Sequence, residues 1–405
     1  MKKRFSILQL TVCLVVAVIM TFNLTFTVMN VNHNKEKAEL LTGSGYLSAL
    51  LTVDEIVRLN FSGDIDDDEL KAAVIRGYLE GIGDEYSTYM TSVEYEIYNS
   101  EFLGSMVGIG VNLIYNSEST NIEVIEVSAD SPAEEAGILV GDIVVAIEGK
   151  KIKEIGYYAA VDLIHGAAGT IVNITVARDG AEIVVPCVRA DIDVLTVKYH
   201  VYTADNSIGV IRISSFYANT PREVKDAIEA LKALGCTKFV FDLRYNGGGG
   251  LSSIISTLDY LLPKGKLVDV YYSTSDTTKT YSSDESFVDA KVAVLINGRT
   301  ASAAELFAAA MRDFTDQGLY DATLVGTTTY GKGVFQTIYE LSDGSAFRIS
   351  CGRYDPPCGV NYDGIGVDPD FYAELSEESQ KINFYKLTDE NDDQLILAAS
   401  ILSSN

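Results

Sequence analysis

The chain has 405 residues, enough for two or three domains, and 47% of them are hydrophobic, which supports more than one buried core. Its formal net charge is −26, and no cluster of Lys and Arg occurs beyond the first four residues, so a nucleic-acid-binding stripe is excluded. The absence of any 20–50-residue repeat or low-complexity tract excludes solenoids and disordered linkers.

The N-terminus opens Met1-Lys2-Lys3-Arg4, and no further charge appears until Lys35. Residues 7–31 between them are mostly apolar, and about 20 such residues span a bilayer as a helix. The end of this stretch, TFNLTFTVMNVN, lacks a small-residue cleavage site, which favours an uncleaved anchor over a removed signal peptide. The leading cations place the tip in the cytoplasm. The expectation is a cytoplasmic tip and transmembrane signal anchor over 1–31, in a single-pass, bacterial-type cell-membrane protein whose catalytic part is extracytoplasmic. Cys13 falls in that span, while Cys187 and Cys236 sit in apolar, core-like contexts. Cys351 and Cys358 are close enough to pair in an oxidising compartment, or they remain two free thiols.

Residues 32–95 read as helical, with apolar spacing of about 3.6 in LSALLTVDEIVRL and DDDELKAAVIRGYLEGI. These helices offer a surface for a homodimer. Between 96 and 190 the pattern changes to short β-branched runs separated by Gly, Asn and Asp, interrupted by two helical pieces: a small β-rich domain. From 191 to 375, strands and helices alternate. The strand SIGVIRISSF leads to Thr220-Pro221-Arg222-Glu223, a capping-box start for the next helix. The strand TKFVFDLRY leads through NGGGG to the helix LSSIISTLDYLL, and the strand KVAVLIN runs into GRTASAAE. This alternation predicts a largely parallel sheet covered by helices, whose sites form at the carboxyl ends of the strands. Both NGGGG and GRTASAAE fall at such ends. Residues 376–405 close the chain with an amphipathic helical segment. The fold class expected is therefore α/β (α+β) and multidomain.

Ser302 stands before an apolar helix, with Glu305 three residues later. That spacing is a capping box, in which the hydroxyl accepts a backbone N–H and the glutamate reaches back. It also suits a nucleophile at the positive end of a helix, and the four residues alone leave both open. A nucleophilic serine needs a base. The three histidines, His33, His165 and His200, lie away from the strand ends of the α/β region, and no G-x-S-x-G or H-E-x-x-H motif is present. Lys332, in TTTYGKGVFQ, is flanked by glycines and then by apolar Val334 and Phe335. Burial could lower its pKa far enough for it to take a proton, and uncharged Gln336 could orient the amine without restoring its charge. The glycine run 247–250 forms a nest of N–H groups for an oxyanion or a phosphate. No Gly-Lys-Ser/Thr follows it, so the nucleotide reading is poor. No metal-ligand cluster is visible, and the chemistry calls for no cofactor.

Taken in order, GDEYSTYMT, GIGV, SPAEEAGILVGDIVVAIEGK, IGVIRISSF, DLRYNGGG, TASAAE, GTTTYGKGVFQ and GIGVDPD resemble the carboxyl-terminal processing proteases. These are tail-specific S41 serine peptidases with a PDZ domain and a Ser-Lys dyad. The resemblance covers nearly the whole chain past the apolar N-terminus. It implies Ser302 as nucleophile, Lys332 as general base and Gln336 as the residue that orients the lysine. It further implies an oxyanion hole from Gly248 or Gly249 with Ala303, and Glu305 in the surrounding shell. The domains implied are a PDZ domain at 96–190 and a protease core at 191–375. The PDZ resemblance implies capture of a free C-terminus by the loop Val107, Gly108, Ile109, Gly110 and Val111, where backbone N–H groups would hold the carboxylate. The function expected is a membrane-anchored serine endopeptidase acting on proteins or peptides with free C-termini through an acyl-enzyme. The alternative is a PDZ scaffold with an inactive protease domain.

Overall fold

The computed structural model describes residues 45–116, 121–128 and 130–404. The described residues fall into two units, divided between Lys71 and Ala72. In the first, the helix Gly45–Asn60 buries no residue, and Arg58 pairs with Asp54 one turn earlier at 3.0 Å.

Residues 1–31, which carry the expected anchor, lie outside the described residues. Among the described residues no helix is long and apolar enough to cross a membrane. The longest, Gly45–Asn60, has 16 residues including Asp54, Glu55 and Arg58. At 1.5 Å per residue it reaches about 24 Å, short of a hydrocarbon core of about 30 Å. The expectations of a transmembrane anchor, a membrane partner and a single-pass, extracytoplasmic placement are corrected accordingly and drop out of the functional reading. The homodimer expected through the N-terminal helices drops out too, because no observation in the structure carries it.

The second unit is organised by a six-stranded sheet. Its order is Val197–Val201, Ile208–Ile213, Lys238–Asp242, Lys291–Ile296, Ala322–Gly326 and Phe371–Tyr372. Only the first strand is antiparallel to its neighbour. Side chains alternate between two cores, as the period of two in a strand requires. Ile211, Phe239, Phe241, Val292 and Val294 face one core. Val210, Val240, Ala293, Leu295 and Val325 face the other. Strands buried on both sides read as continuous apolar runs, and these do.

The first core is covered by three helices, Thr220–Ala233, Leu251–Leu261 and Ala303–Asp316. The last buries almost its whole circumference, which its alanine-rich sequence allows. The second core is sealed by the helix Asp393–Ser403 through Leu395, Ala398, Ala399 and Leu402. Because the central strands run parallel, the segments after Lys238–Asp242 and Lys291–Ile296 emerge on one side, as expected, and the segment after Ala322–Gly326 joins them. The capping box at Thr220 does not form. Thr220 is already helical, and Glu223 instead accepts from the N–H groups of Thr196 and Val197.

An antiparallel sheet was not foreseen. It joins Thr88–Met90, Ala346–Asp355, Gly265–Tyr272 and Thr277–Ser283, with Val334–Glu340 also paired to Ala346–Asp355. The β-rich region forms a separate sheet, Val111–Asn116, Asn121–Val127, Ile143–Ile147, Ile171–Arg178 and Ala181–Val188, with the helices Pro132–Ala136 and Ile152–Ile164. Its own core includes Ile122, Ile147, Val172, Ile174 and Cys187. Cys187, Cys236, Cys351 and Cys358 are all free thiols.

One ion cluster ties the closing helix to the side of the sheet where the parallel strands end. Arg244 forks between Asp242 and Asp392 at 2.8 and 2.6 Å and also donates to Gln394 at 2.9 Å. All three charged side chains are almost fully buried. Burial alone would raise the Asp242 carboxyl, but the adjacent Arg244 outweighs it and holds the group below the usual carboxylate range. Replacing Arg244 by Met would leave two buried carboxylates unpaired. It is expected to cost about 3–5 kcal/mol of stability, read from the urea unfolding midpoint.

Candidate active site

Ser302 sits where the strand Lys291–Ile296 turns into the helix Ala303–Asp316. The turn is pinned from within: Thr300 donates its hydroxyl to the Leu243 carbonyl at 2.9 Å, and the Ala301 N–H donates to the Asn246 carbonyl at 2.9 Å. Ser302 itself holds φ +59° and ψ −120°, a strained conformation for a side-chain-bearing residue. Its hydroxyl makes no cap bond. The Tyr354 hydroxyl donates to Ser302 Oγ at 2.8 Å and lies 3.1 Å from the Lys332 carbonyl. Burial keeps the Tyr354 phenol well above the ordinary phenol range, so it stays protonated and a donor. The capping question thus has a divided answer. Glu305 reaches back to the Ser302 N–H at 2.8 Å, while the serine hydroxyl is free of the helix and faces a cleft.

Glu305 does more than cap. Fully buried, it also accepts from Thr329 Oγ1 at 2.6 Å, the Gly331 N–H at 2.6 Å and the Lys332 N–H at 2.8 Å. The loop that carries Lys332 is thereby fastened to the start of the serine helix. The Lys332 amine is half-buried and donates to Gln336 Oε1 at 2.9 Å. Gln336 in turn donates to Ser350 Oγ at 3.1 Å. Burial first, and then the charge of Arg348, lower the amine below the ordinary lysine value of 10.5. Asp84, Glu85 and Glu305 oppose that shift without reversing it.

The glycine run packs directly against Ser302. A Cβ on Gly248 would lie 2.8 Å from the Ser302 Cβ, and one on Gly249 would lie 2.3 Å from the Phe216 carbonyl oxygen. Both have positive φ, so glycine is required twice over. Their N–H groups differ. That of Gly248 is spent on Asn246 Oδ1 at 2.8 Å. Those of Gly249 and Ala303 donate to no acceptor among the described residues.

Ser302, Ala303, Lys332, Gln336 and the glycine run line one cleft of about 570 Å³, floored by apolar side chains such as Leu251 and Leu306. All the core residues singled out from sequence are therefore brought together. Ser302 and Lys332 share the cleft without a hydrogen bond between them. The loop singled out for carboxylate capture is split: Val107 and Gly108 lie in a strand paired with Ala190–Asp193, and the Ile109 side chain is buried in the β-rich core. Gly110 has φ +81° and its carbonyl accepts from Ser128, while Val111 begins the next strand. Sequence reasoning missed Tyr354, Asn246 and Ser350. Only Asn246, as the residue that opens the glycine run, carried a local signal.

Comparison with known proteins places the chain in a family. The sequence pattern of peptidase family S41 matches residues 207–373, and that of a PDZ domain matches residues 123–178. The chain is 32% identical over 338 residues to the carboxy-terminal processing protease CtpA of Bacillus subtilis (strain 168), covering 83% of this chain and 71% of that one. It is 32% identical to the "Probable CtpA-like serine protease" of Staphylococcus aureus (strain N315), covering 81% of this chain and 65% of that one. A solved structure from Bacteroides fragilis NCTC 9343, described as a "Putative S41 protease", superposes with a TM-score of 0.54 at 18% identity, over 81% of this chain and 90% of that one, a likeness of fold.

Two outcomes test the geometry. Glu305→Gln offers one acceptor oxygen where the carboxylate offers two, and its NH₂ faces donors. Peptide hydrolysis is expected to fall about 10²-fold as the lysine loop drifts, measured as kcat/KM. The second outcome concerns Lys332 and stability. A lysine whose folded pKa lies below its unfolded one penalises the fold fully below the folded pKa, and the penalty fades as pH rises to the unfolded value. Lys332→Met is therefore expected to melt above the wild type near pH 7, with the gap closing as the pH approaches about 10.5 in thermal melts.

Proposed function

Because the chain belongs to peptidase family S41, as a carboxy-terminal processing serine endopeptidase with a PDZ domain, we propose that it cleaves peptide bonds through an acyl-enzyme on Ser302. In this reading Ser302 Oγ attacks the scissile carbonyl. Its proton passes to the uncharged amine of Lys332, which delivers it to the departing amine of the substrate. A water molecule then repeats the sequence in reverse to release the acyl group. The free N–H groups of Gly249 and Ala303 face the developing oxyanion, and Gly248 serves by permitting the close approach rather than by donating. Gln336 orients the amine, and Glu305 sets its loop against the serine helix.

One observation supports this most. A strained serine and a partly buried lysine, whose charged form is disfavoured, line the same cleft with two unspent backbone donors. A lysine held in water would be an ammonium at neutral pH and useless as a base. The PDZ domain, read as 96–190, would hold a substrate's free C-terminus near the segment Val107 to Val111 while the core, read as 191–375, cuts. The segments 32–95 and 376–405, expected from the sequence to be helical, precede and follow these two parts in the chain. The rival reading, a PDZ scaffold with an inactive protease domain, draws on the missing Ser302–Lys332 hydrogen bond.

Peptide hydrolysis separates the two. Lys332→Ala and Ser302→Ala are each expected to lower kcat/KM by at least about 10²–10⁴-fold. A substrate with a C-terminal amide is expected to show a raised KM relative to the free acid. Equal rates for wild type and both variants would leave only the scaffold.

A further inference from the structure

The Lys332 amine lies 4.3 Å from the centroid of the Tyr86 ring. Tyr86 belongs to the turn before the strand Thr88–Met90, and its side chain is half-buried. The turn is not loosely placed. Its Asp84 accepts from the Ser87 hydroxyl and, at 3.3 Å, from the Ser350 N–H. Ser350 is also the residue whose hydroxyl accepts from Gln336. The turn that carries the ring and the amide that accepts from the amine are thus both tied to Ser350 of the strand Ala346–Asp355.

An aromatic face attracts an ammonium and has little hold on a neutral amine. Gln336 is uncharged, and the formal charges around Lys332 act from further away. Arg348, from the strand Ala346–Asp355, opposes the ammonium. Asp84 and Glu85, from the Tyr86 turn, and Glu305, from the serine helix, favour it. The Tyr86 hydroxyl neighbours Glu85 and Tyr330 and stays protonated. With the amine under the ring, the Ser302 hydroxyl is held by Tyr354 instead.

We propose that Tyr86 is a positioning residue for Lys332: its ring favours the charged form of the amine over the neutral one and thereby helps set the pH at which the lysine becomes a base. The proposal rests on the reading of Lys332 as general base. At a partly desolvated site the contact is worth about half to one and a half units of lysine pKa.

The test is a titration of Lys332 by NMR, with ¹³C at lysine Cε and Lys332→Ala to identify the resonance, alongside the pH profile of kcat/KM. Tyr86→Leu keeps apolar bulk and removes the aromatic face; Tyr86→Met is a second variant of the same kind should the first fold poorly. Both are expected to lower the Lys332 pKa by about half to one and a half units and to move the rising limb of kcat/KM to lower pH by the same amount. Tyr86→Phe, which keeps the face and loses only the hydroxyl, is expected to titrate like the wild type. An unmoved or raised pKa in Tyr86→Leu and Tyr86→Met overturns the proposal. So does a Tyr86→Phe shift as large as theirs, which would assign the effect to the hydroxyl. If the wild type hydrolyses no peptide while the Leu and Met variants still shift the resonance, the general-base reading fails and control of charge by Tyr86 stands.

Discussion

Glu305 accepts hydrogen bonds from Ser302, Thr329, Gly331 and Lys332, and the rest of the cleft is built around that one carboxylate. A buried ion is tolerated only when its lone pairs are filled, and here four donors fill them. In return it joins two segments that the chain separates by a helix and a strand. The serine comes from the end of one parallel strand and the lysine from the loop after its neighbour. Sheet geometry brings those ends near each other, but only to within loop tolerance. The carboxylate removes that tolerance, because three of its bonds go to backbone N–H groups, which cannot swing away as side chains can.

The side chains of Ser302 and Lys332 are held apart by softer contacts. Tyr354 grips the serine hydroxyl, and the amine lies between Gln336 and the Tyr86 ring. Rigid backbone placement combined with exchangeable side-chain partners suits a site that must change bonding at each step. The backbone donors of Gly249 and Ala303 need no such freedom. They sit on the glycine run and at the helix start, where a hydrogen-bond donor costs no reorganisation when charge develops.

Much of this was legible in the sequence because it follows local rules. The parallel sheet was written in apolar runs such as KFVFD and KVAVLI, and the convergence of NGGGG and GRTASAAE follows from strands that run parallel. The Ser302–Glu305 spacing announced the reach back to the serine N–H, though not the three other donors to Glu305, which belong to another loop. Tyr354 and Ser350 were invisible for a different reason. They lie on the antiparallel sheet, where TTKTYSS and AFRISCGRYD carry no clean alternation and pairing is decided by register across long separations. Thr220–Glu223 shows the converse error. The local pattern fits a cap, but Glu223 has better donors at Thr196 and Val197, brought by tertiary packing. The apolar segment 7–31 shows a further limit: hydropathy counts residues, and nothing among the described residues has the length of a span.

The helix Asp393–Ser403 covers the rear of the central sheet, and Asp392 beside it neutralises Arg244, three residues ahead of the glycine run. The glycine run is therefore steadied by a residue 148 positions further along the chain than Arg244. A fold in which that helix had come away would leave Arg244 with Asp242 alone and would uncover Val240, Leu295 and Val325. Order beside the cleft is thus tied to the docking of a helix on the opposite face of the sheet.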